Sequence, residues 1–144
     1  MKLTLKDYIS IKIHKTDLEL TNYIRSKLEP YNLAPEQNLI MMLLWEQDGI
    51  TQNQLVECLS KDKTNVARMA FNLESKGFIK RLTCNDDRRA IRLYLTEAGK
   101  ELGAKVIPIA EEFNEIVTNG ITVEELLQLE RVLSKITMNV KQRM

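Results

Sequence analysis

Three clusters of side chains near the middle of this 144-residue chain have the types and spacing needed to hold a polyanion. Thr64, Asn65 and Arg68 stand at i, i+1 and i+4, so a helix beginning there presents them in its first turns, with Lys61 and Lys63 just before them. An Arg fork can grip guanine O6 and N7, an Asn amide pairs with adenine, and Thr serves a base or a phosphate. Lys is a point charge that suits phosphate and sets register without reading sequence. Gln52, Asn53 and Gln54 open an earlier helical segment, where free backbone amides and the positive helix end suit a phosphate, although the same residues serve as simple caps. The third cluster, Asp87, Arg88 and Arg89, lies in a polar, Asx-rich stretch with turn-forming composition.

Charge distribution points the same way. Between Lys61 and Arg92 nine basic residues face four acidic ones, a net +5, while the chain as a whole is only +1, leaving −4 for the rest. A basic middle between acidic ends predicts one face for an anionic partner and another task for the termini.

Other chemistries lack their residues. His14 is the single histidine, and Cys58 and Cys84 have neither CxxC nor metal-ligand spacing, so no metal site and no Ser/His/Asp arrangement is expected. The thiols read as reduced; Cys58 reads as small core packing, and Cys84, beside basic residues, leaves a redox role open. No nucleophile, base or phosphate-loop constellation appears, and we expect neither an enzyme nor a cofactor. The first ten residues mix apolar and charged types, and no eighteen apolar residues run together, which predicts a soluble cytoplasmic protein with no membrane partner.

The elements that must position these residues follow from periodicity. Ile9, Ile13, Leu20, Ile24 and Leu28 recur at helical steps, with Ile11 and Leu18 opening a second stripe, which predicts one helix from Leu5 to Glu29 with two buried faces. Pro35 stands at the first position of a second, nearly all-apolar helix that Gly49 should end. Thr51 and Gln54 form a T-x-x-Q capping box opening a short helix, Gln52 to Leu59. After a polar turn, Asp62 or Thr64 caps the next helix, with Val66, Met69, Ala70 and Leu73 on one side and Gly77 as its stop. That pair is a helix-turn-helix. From Phe78 the period becomes alternating: Phe78, Lys80, Leu82 and Cys84 on one side, then Ile91, Leu93 and Leu95 beyond the charged stretch, predicting a hairpin. Thr96 caps a long helix carrying Pro108, and Thr122 with Glu125 opens a last helix with Leu126, Leu133 and Ile136 on its apolar sides.

The runs Thr64-Asn65-Val66-Ala67-Arg68 to Leu73-Glu74-Ser75-Lys76-Gly77, Asp86-Asp87-Arg88-Arg89-Ala90 and Leu93-Tyr94-Leu95-Thr96-Glu97-Ala98-Gly99 resemble the multiple antibiotic resistance regulator (MarR) family over nearly the whole chain. The resemblance implies a mainly α fold with a small β-hairpin wing: a winged helix-turn-helix with N- and C-terminal dimerisation helices. It implies a homodimer, paired through residues such as Ile9, Ile13, Leu20, Leu126 and Leu133, that binds double-stranded DNA at a pseudo-palindromic operator. In it Arg89 matches the wing position that enters the minor groove and Asp87 the acid that orients it, with Arg88 an alternative. The segments expected are 1–34 for dimerisation, 35–99 for the DNA-binding lobe and 100–144 for dimerisation.

The expected function is a sequence-specific transcriptional regulator, a ligand-responsive repressor. Met41, Met42 and Trp45 lie near the family's effector site, which leaves room for a small aromatic or anionic effector, but Met in such a run is foremost core packing. A winged-helix protein adaptor or antirepressor is the alternative from another class, and a metal- or thiol-based sensor has fewer Cys and His than it needs.

Overall fold

The computed structural model describes residues 4–83 and 90–144. Its elements are α1 (Ile9–Leu28), α2 (Pro35–Glu46), β1 (Ile50–Thr51), α3 (Gln52–Leu59), α4 (Lys63–Ser75), β2 (Ile79–Thr83), β3 (Ile91–Leu95), α5 (Glu97–Val117) and α6 (Val123–Lys141), with 3-10 turns at Leu5–Asp7 and Glu29–Tyr31. The chain divides into two compact units, Met1–Ile109 and Ala110–Met144.

The first unit is organised by α2 and α4. Ile40, Met41 and Leu44 of α2 are buried, and α4 turns Val66, Met69, Ala70 and Leu73 inward at the i, i+3, i+4, i+7 spacing of one helical face. Leu28, Leu33, Leu55, Ile79, Leu93, Leu102 and Val106 complete the same cluster. Each fully buried Leu or Ile contributes roughly 1.5–3 kcal/mol. Two glycines let α5 approach closely. A Cβ on Gly99 would lie 2.1 Å from the Phe78 carbonyl oxygen, and one on Gly103 2.7 Å from Trp45 Nε1. The Trp45 indole N–H donates to the Gly99 carbonyl at 2.9 Å, so the ring tying α2 to α5 occupies the space that a side chain would need.

Caps explain where the short helices start and stop. Thr51 Oγ1 accepts from Gln54 N at 3.1 Å while Gln54 Oε1 accepts from Thr51 N at 2.9 Å, which fixes the start of α3. Ser60, left-handed at φ 52°, ends α3, and the Asp62 carboxylate caps α4. Gly77, at φ 86°, stops α4 and lets Phe78 N reach the Leu73 carbonyl at 3.1 Å. Thr96, just after β3, ties the turn before β2 to the first turn of α5, donating from Oγ1 to the Gly77 carbonyl at 2.6 Å and accepting from Gly99 N at 3.1 Å.

In the second unit, Thr122 and Glu125 close a capping box at the start of α6, and the Thr122 backbone N–H followed by its hydroxyl holds the Glu125 carboxyl below its ordinary range. No residue of α6 is buried.

Several expectations change. The wing is a three-stranded antiparallel sheet of order β1-β3-β2 and not a bare hairpin, because Ile50 and Thr51 pair with Leu93 and Arg92. The helix expected from Leu5 is a 3-10 turn, an extended Tyr8 and then α1: the Asp7 carboxylate takes Thr4 Oγ1 at 2.7 Å and Thr4 N at 3.0 Å, closing one isolated turn. Gly49 does not end α2, which stops at Glu46 with Gln47 extended. Instead Gly49 turns the chain into β1 at φ 82°, close under the Tyr94 ring. Phe78 precedes β2 and is half-buried, unlike the exposed Lys80 and Leu82 that share its alternation. Cys58 is exposed on α3 and not part of the core, since Leu55 and Val56 already fill that helix's inward face.

Candidate nucleic-acid interface

The face of α4 opposite its buried stripe is turned outward. At about 100° per residue, Thr64, Arg68, Phe71 and Ser75 fall in one line along the centre of that outward face, and all four are exposed. Asn65 and Asn72 lie together along one edge of the line. The helix therefore presents polar and basic groups in its first two turns and an exposed aromatic ring in its third.

Of the expected base-reading residues, Asn65 and Arg68 are brought together and held. Asp62 Oδ1 accepts from Asn65 N at 2.7 Å and Oδ2 from Asn65 Nδ2 at 3.1 Å. Asn65 Oδ1 in turn accepts from Arg68 Nη2. This chain orients the Asn65 amide, with oxygen toward the guanidinium and nitrogen toward the carboxylate, and leaves most of the five Arg68 donors for a ligand.

Many of the basic residues that gave the middle segment its charge are instead joints of the fold. Lys61 Nζ lies 3.4 Å from Glu36. Lys76 Nζ donates to the Asn32 carbonyl at 2.8 Å and to Gln37 Oε1 at 2.7 Å, and burial pushes its pKa down. Arg81 binds the Glu74 carboxylate through Nε at 3.1 Å and through its backbone N–H at 3.0 Å. That backbone bond foremost, helped by the guanidinium, holds the Glu74 carboxyl below its ordinary range. Arg92 Nη1 donates to the Gly49 carbonyl at 2.8 Å. Sequence reasoning missed these roles, as it missed Phe71. Lys63 and Lys80 are exposed, with no ion pair among the described residues.

The other expected positions fall as follows. Gln54 is committed to its capping box, Asn53 is exposed, and Gln52 is half-buried with Oε1 lacking a hydrogen-bond partner. Asp87, Arg88, Arg89 and Cys84 lie outside the described residues. Met41 is fully buried and Met42 and Trp45 half-buried. Ile13, Leu20 and Leu126 are half-buried, while Ile9 and Leu133 are 59% and 40% exposed. Among the described residues no group of three or more His, Cys, Asp or Glu could hold a metal ion, and no helix is long and apolar enough to cross a membrane.

Comparison with known proteins gives this geometry its context. The family model described as "MarR family" matches residues 33–91. An uncharacterized HTH-type transcriptional regulator, YybA, of Bacillus subtilis (strain 168) is 29% identical over 110 residues, 76% of this chain and 73% of that protein. A MarR transcriptional regulator from Methanosarcina mazei Go1 superposes with a TM-score of 0.72 at 32% identity over 92% of this chain and 98% of its own. A MarR family regulator from Listeria monocytogenes, crystallised with 26mer DNA, gives a TM-score of 0.80 at 28% identity over 99% of this chain and 92% of its own. With the winged helix-turn-helix in place and these matches spanning it, the chain belongs to the MarR family of transcriptional regulators.

Proposed function

We propose that the chain binds double-stranded DNA sequence-specifically, as a homodimer, through α4 in the major groove. The observation that carries this is the N-terminal end of α4, where the capping Asp62, Asn65 and Arg68 form one hydrogen-bonded chain that ends on the exposed outward face. The DNA complex of the Listeria relative supports it. Thr64, Asn65 and Arg68 read bases; Lys63 and the α3 start at Gln52, Asn53 and Gln54 hold phosphates. Lys61 adds charge there once it leaves Glu36. Asp87, Arg88 and Arg89 serve a wing in the minor groove.

Homodimerisation is supported within each unit by apolar side chains that the single chain leaves uncovered. Val123, Leu127, Leu129, Leu133 and Met138 of α6 are each at least 40% exposed, as is Ile9 of α1. A two-fold dimer of this kind would read two half-sites about one DNA turn apart. The finer reading is a repressor that a small aromatic or anionic molecule releases from its operator, an effector chemistry that rests on family resemblance. The test is selection of duplexes by the full chain from a random-sequence pool, followed by salt titration. An enriched pseudo-palindrome with a steep salt dependence is expected; failure to enrich any sequence overturns the proposal. Adding aromatic carboxylates to the selected complex tests the effector, and indifference to all of them removes it.

A further inference from the structure

Phe71 has no structural reason to be where it is. It is 55% exposed, on the face of α4 opposite Val66, Met69, Ala70 and Leu73, so its ring adds little to the core. Among the described residues the charged group over the ring is Arg81, whose guanidinium lies 5.6 Å from its centroid. That guanidinium is already held by Glu74 at 3.1 Å and does not need the ring for its position. An exposed aromatic in line with Thr64 and Arg68 is a base-reading group if the helix lies in a major groove, because the 5-methyl of thymine is the apolar feature that the groove offers.

We infer that Phe71 reads a thymine methyl group, and so specifies a thymine in each half-site of the bound duplex. The inference rests on the DNA-binding reading above and extends it to a residue outside the polar set. Seven residues separate Phe71 from Thr64, a rise of about 10 Å along the helix axis. At about 3.4 Å per base step, the thymine stands about three base pairs from the base met by the first turn.

The experiment uses the full chain and the duplex it selects from a random-sequence pool. Each thymine is replaced, one at a time, by deoxyuracil, which removes only the methyl. The wild type should lose about fourfold in affinity at one thymine per half-site, the value of one methyl-sized group taken from water. Phe71→Ala should be indifferent to the methyl at that position and keep the wild-type response elsewhere, while Phe71→Leu, still apolar, should keep part of it. Thermal unfolding of both variants guards against a folding defect, and Lys63→Ala serves as a control that weakens all duplexes alike. The inference is overturned if the wild type is indifferent to every methyl. It is equally overturned if Phe71→Ala weakens methylated and unmethylated duplexes by the same factor, the behaviour of a brace for Arg81. Selection of no duplex at all by the wild type overturns the DNA-binding reading itself, and this inference with it.

Discussion

Asp62 separates the stability of the reading helix from its orientation. Its carboxylate caps α4 through Asn65 N at 2.7 Å and holds the Asn65 side-chain amide through Nδ2 at 3.1 Å, and that amide holds Arg68. Asp62→Ala removes both functions. Losing the cap should cost about 1 kcal/mol of folding stability, within the usual range of about 0.5–2 kcal/mol. Asp62→Asn keeps the cap, because an Asn oxygen accepts from Asn65 N as well as Asp does, but it replaces the second oxygen by an NH2 group that cannot accept from Asn65 Nδ2. Stability should therefore fall in Asp62→Ala and stay within a few tenths of a kcal/mol of wild type in Asp62→Asn, read by urea unfolding at one fixed protein concentration.

The binding readout moves differently. Either substitution removes a negative charge that would face phosphate, so both should tighten binding to random duplex at low salt. Either also frees Asn65 and Arg68 from their preset geometry, so the ratio of selected to random affinity should drop in both variants. Fluorescence titration against the two duplexes at fixed salt measures that ratio. The reasoning is refuted if Asp62→Asn leaves the ratio unchanged, or if the ratio follows stability and falls only in Asp62→Ala.

Three further outcomes are expected. Arg68→Ala should cost about 1–3 kcal/mol on the selected duplex and flatten the preference among sequences, whereas Lys63→Ala should weaken all duplexes alike and lower the salt slope by about one; equal loss on selected and random duplexes for Arg68→Ala removes it from the reading set. Gly99→Ala should destabilise the fold by about 3 kcal/mol or more, because its Cβ would lie 2.1 Å from the Phe78 carbonyl oxygen, a backbone atom that cannot step aside; a near-normal unfolding midpoint would contradict the close approach of α5. Glu74 has a lowered pKa in the folded chain, so its contribution is present above its unfolded value of about 4.3 and is lost as pH falls through the lower folded one; the stability gap between wild type and Glu74→Gln should be open at neutral pH and close under acid, and a gap independent of pH removes that role.

What was legible in the sequence is what local chemistry decides. The starts of α3, α4 and α6 are written in Thr51 with Gln54, in Asp62 and in Thr122 with Glu125, each acting over three residues. The buried stripe of α4 follows from its period alone. Strand β1 was not legible, because two residues hold no alternation and become a strand only through Leu93 and Arg92, more than forty positions later. The extended Tyr8 that separates Leu5–Asp7 from α1 was equally hidden: the apolar period runs straight through it, and a hydrogen bond from Thr4 to Asp7 breaks it.

The site divides along the same line. Thr64, Asn65 and Arg68 share one helical segment, so their grouping could be read from spacing, and the structure adds the Asp62 carboxylate that orders Asn65 and, through it, Arg68. The charge excess of residues 61–92 predicts a footprint for an anion, yet Lys61, Lys76 and Arg92 find partners 25, 39 and 43 residues away in sequence. No window of local composition can see those bonds. A count of basic residues therefore overstates the charge offered to a phosphate backbone. What distinguishes Lys63 and Arg68 from Lys76 and Arg92 is that, among the described residues, no other element claims their donors as a joint. The same test singles out Phe71 from the other large apolar residues of α4: Met69 and Leu73 are buried by the core, and Phe71 is left outside it on the face that the basic residues share. In a fold of this kind, the groups available to a ligand are found by subtraction, after the demands of packing and of long-range hydrogen bonds have been met.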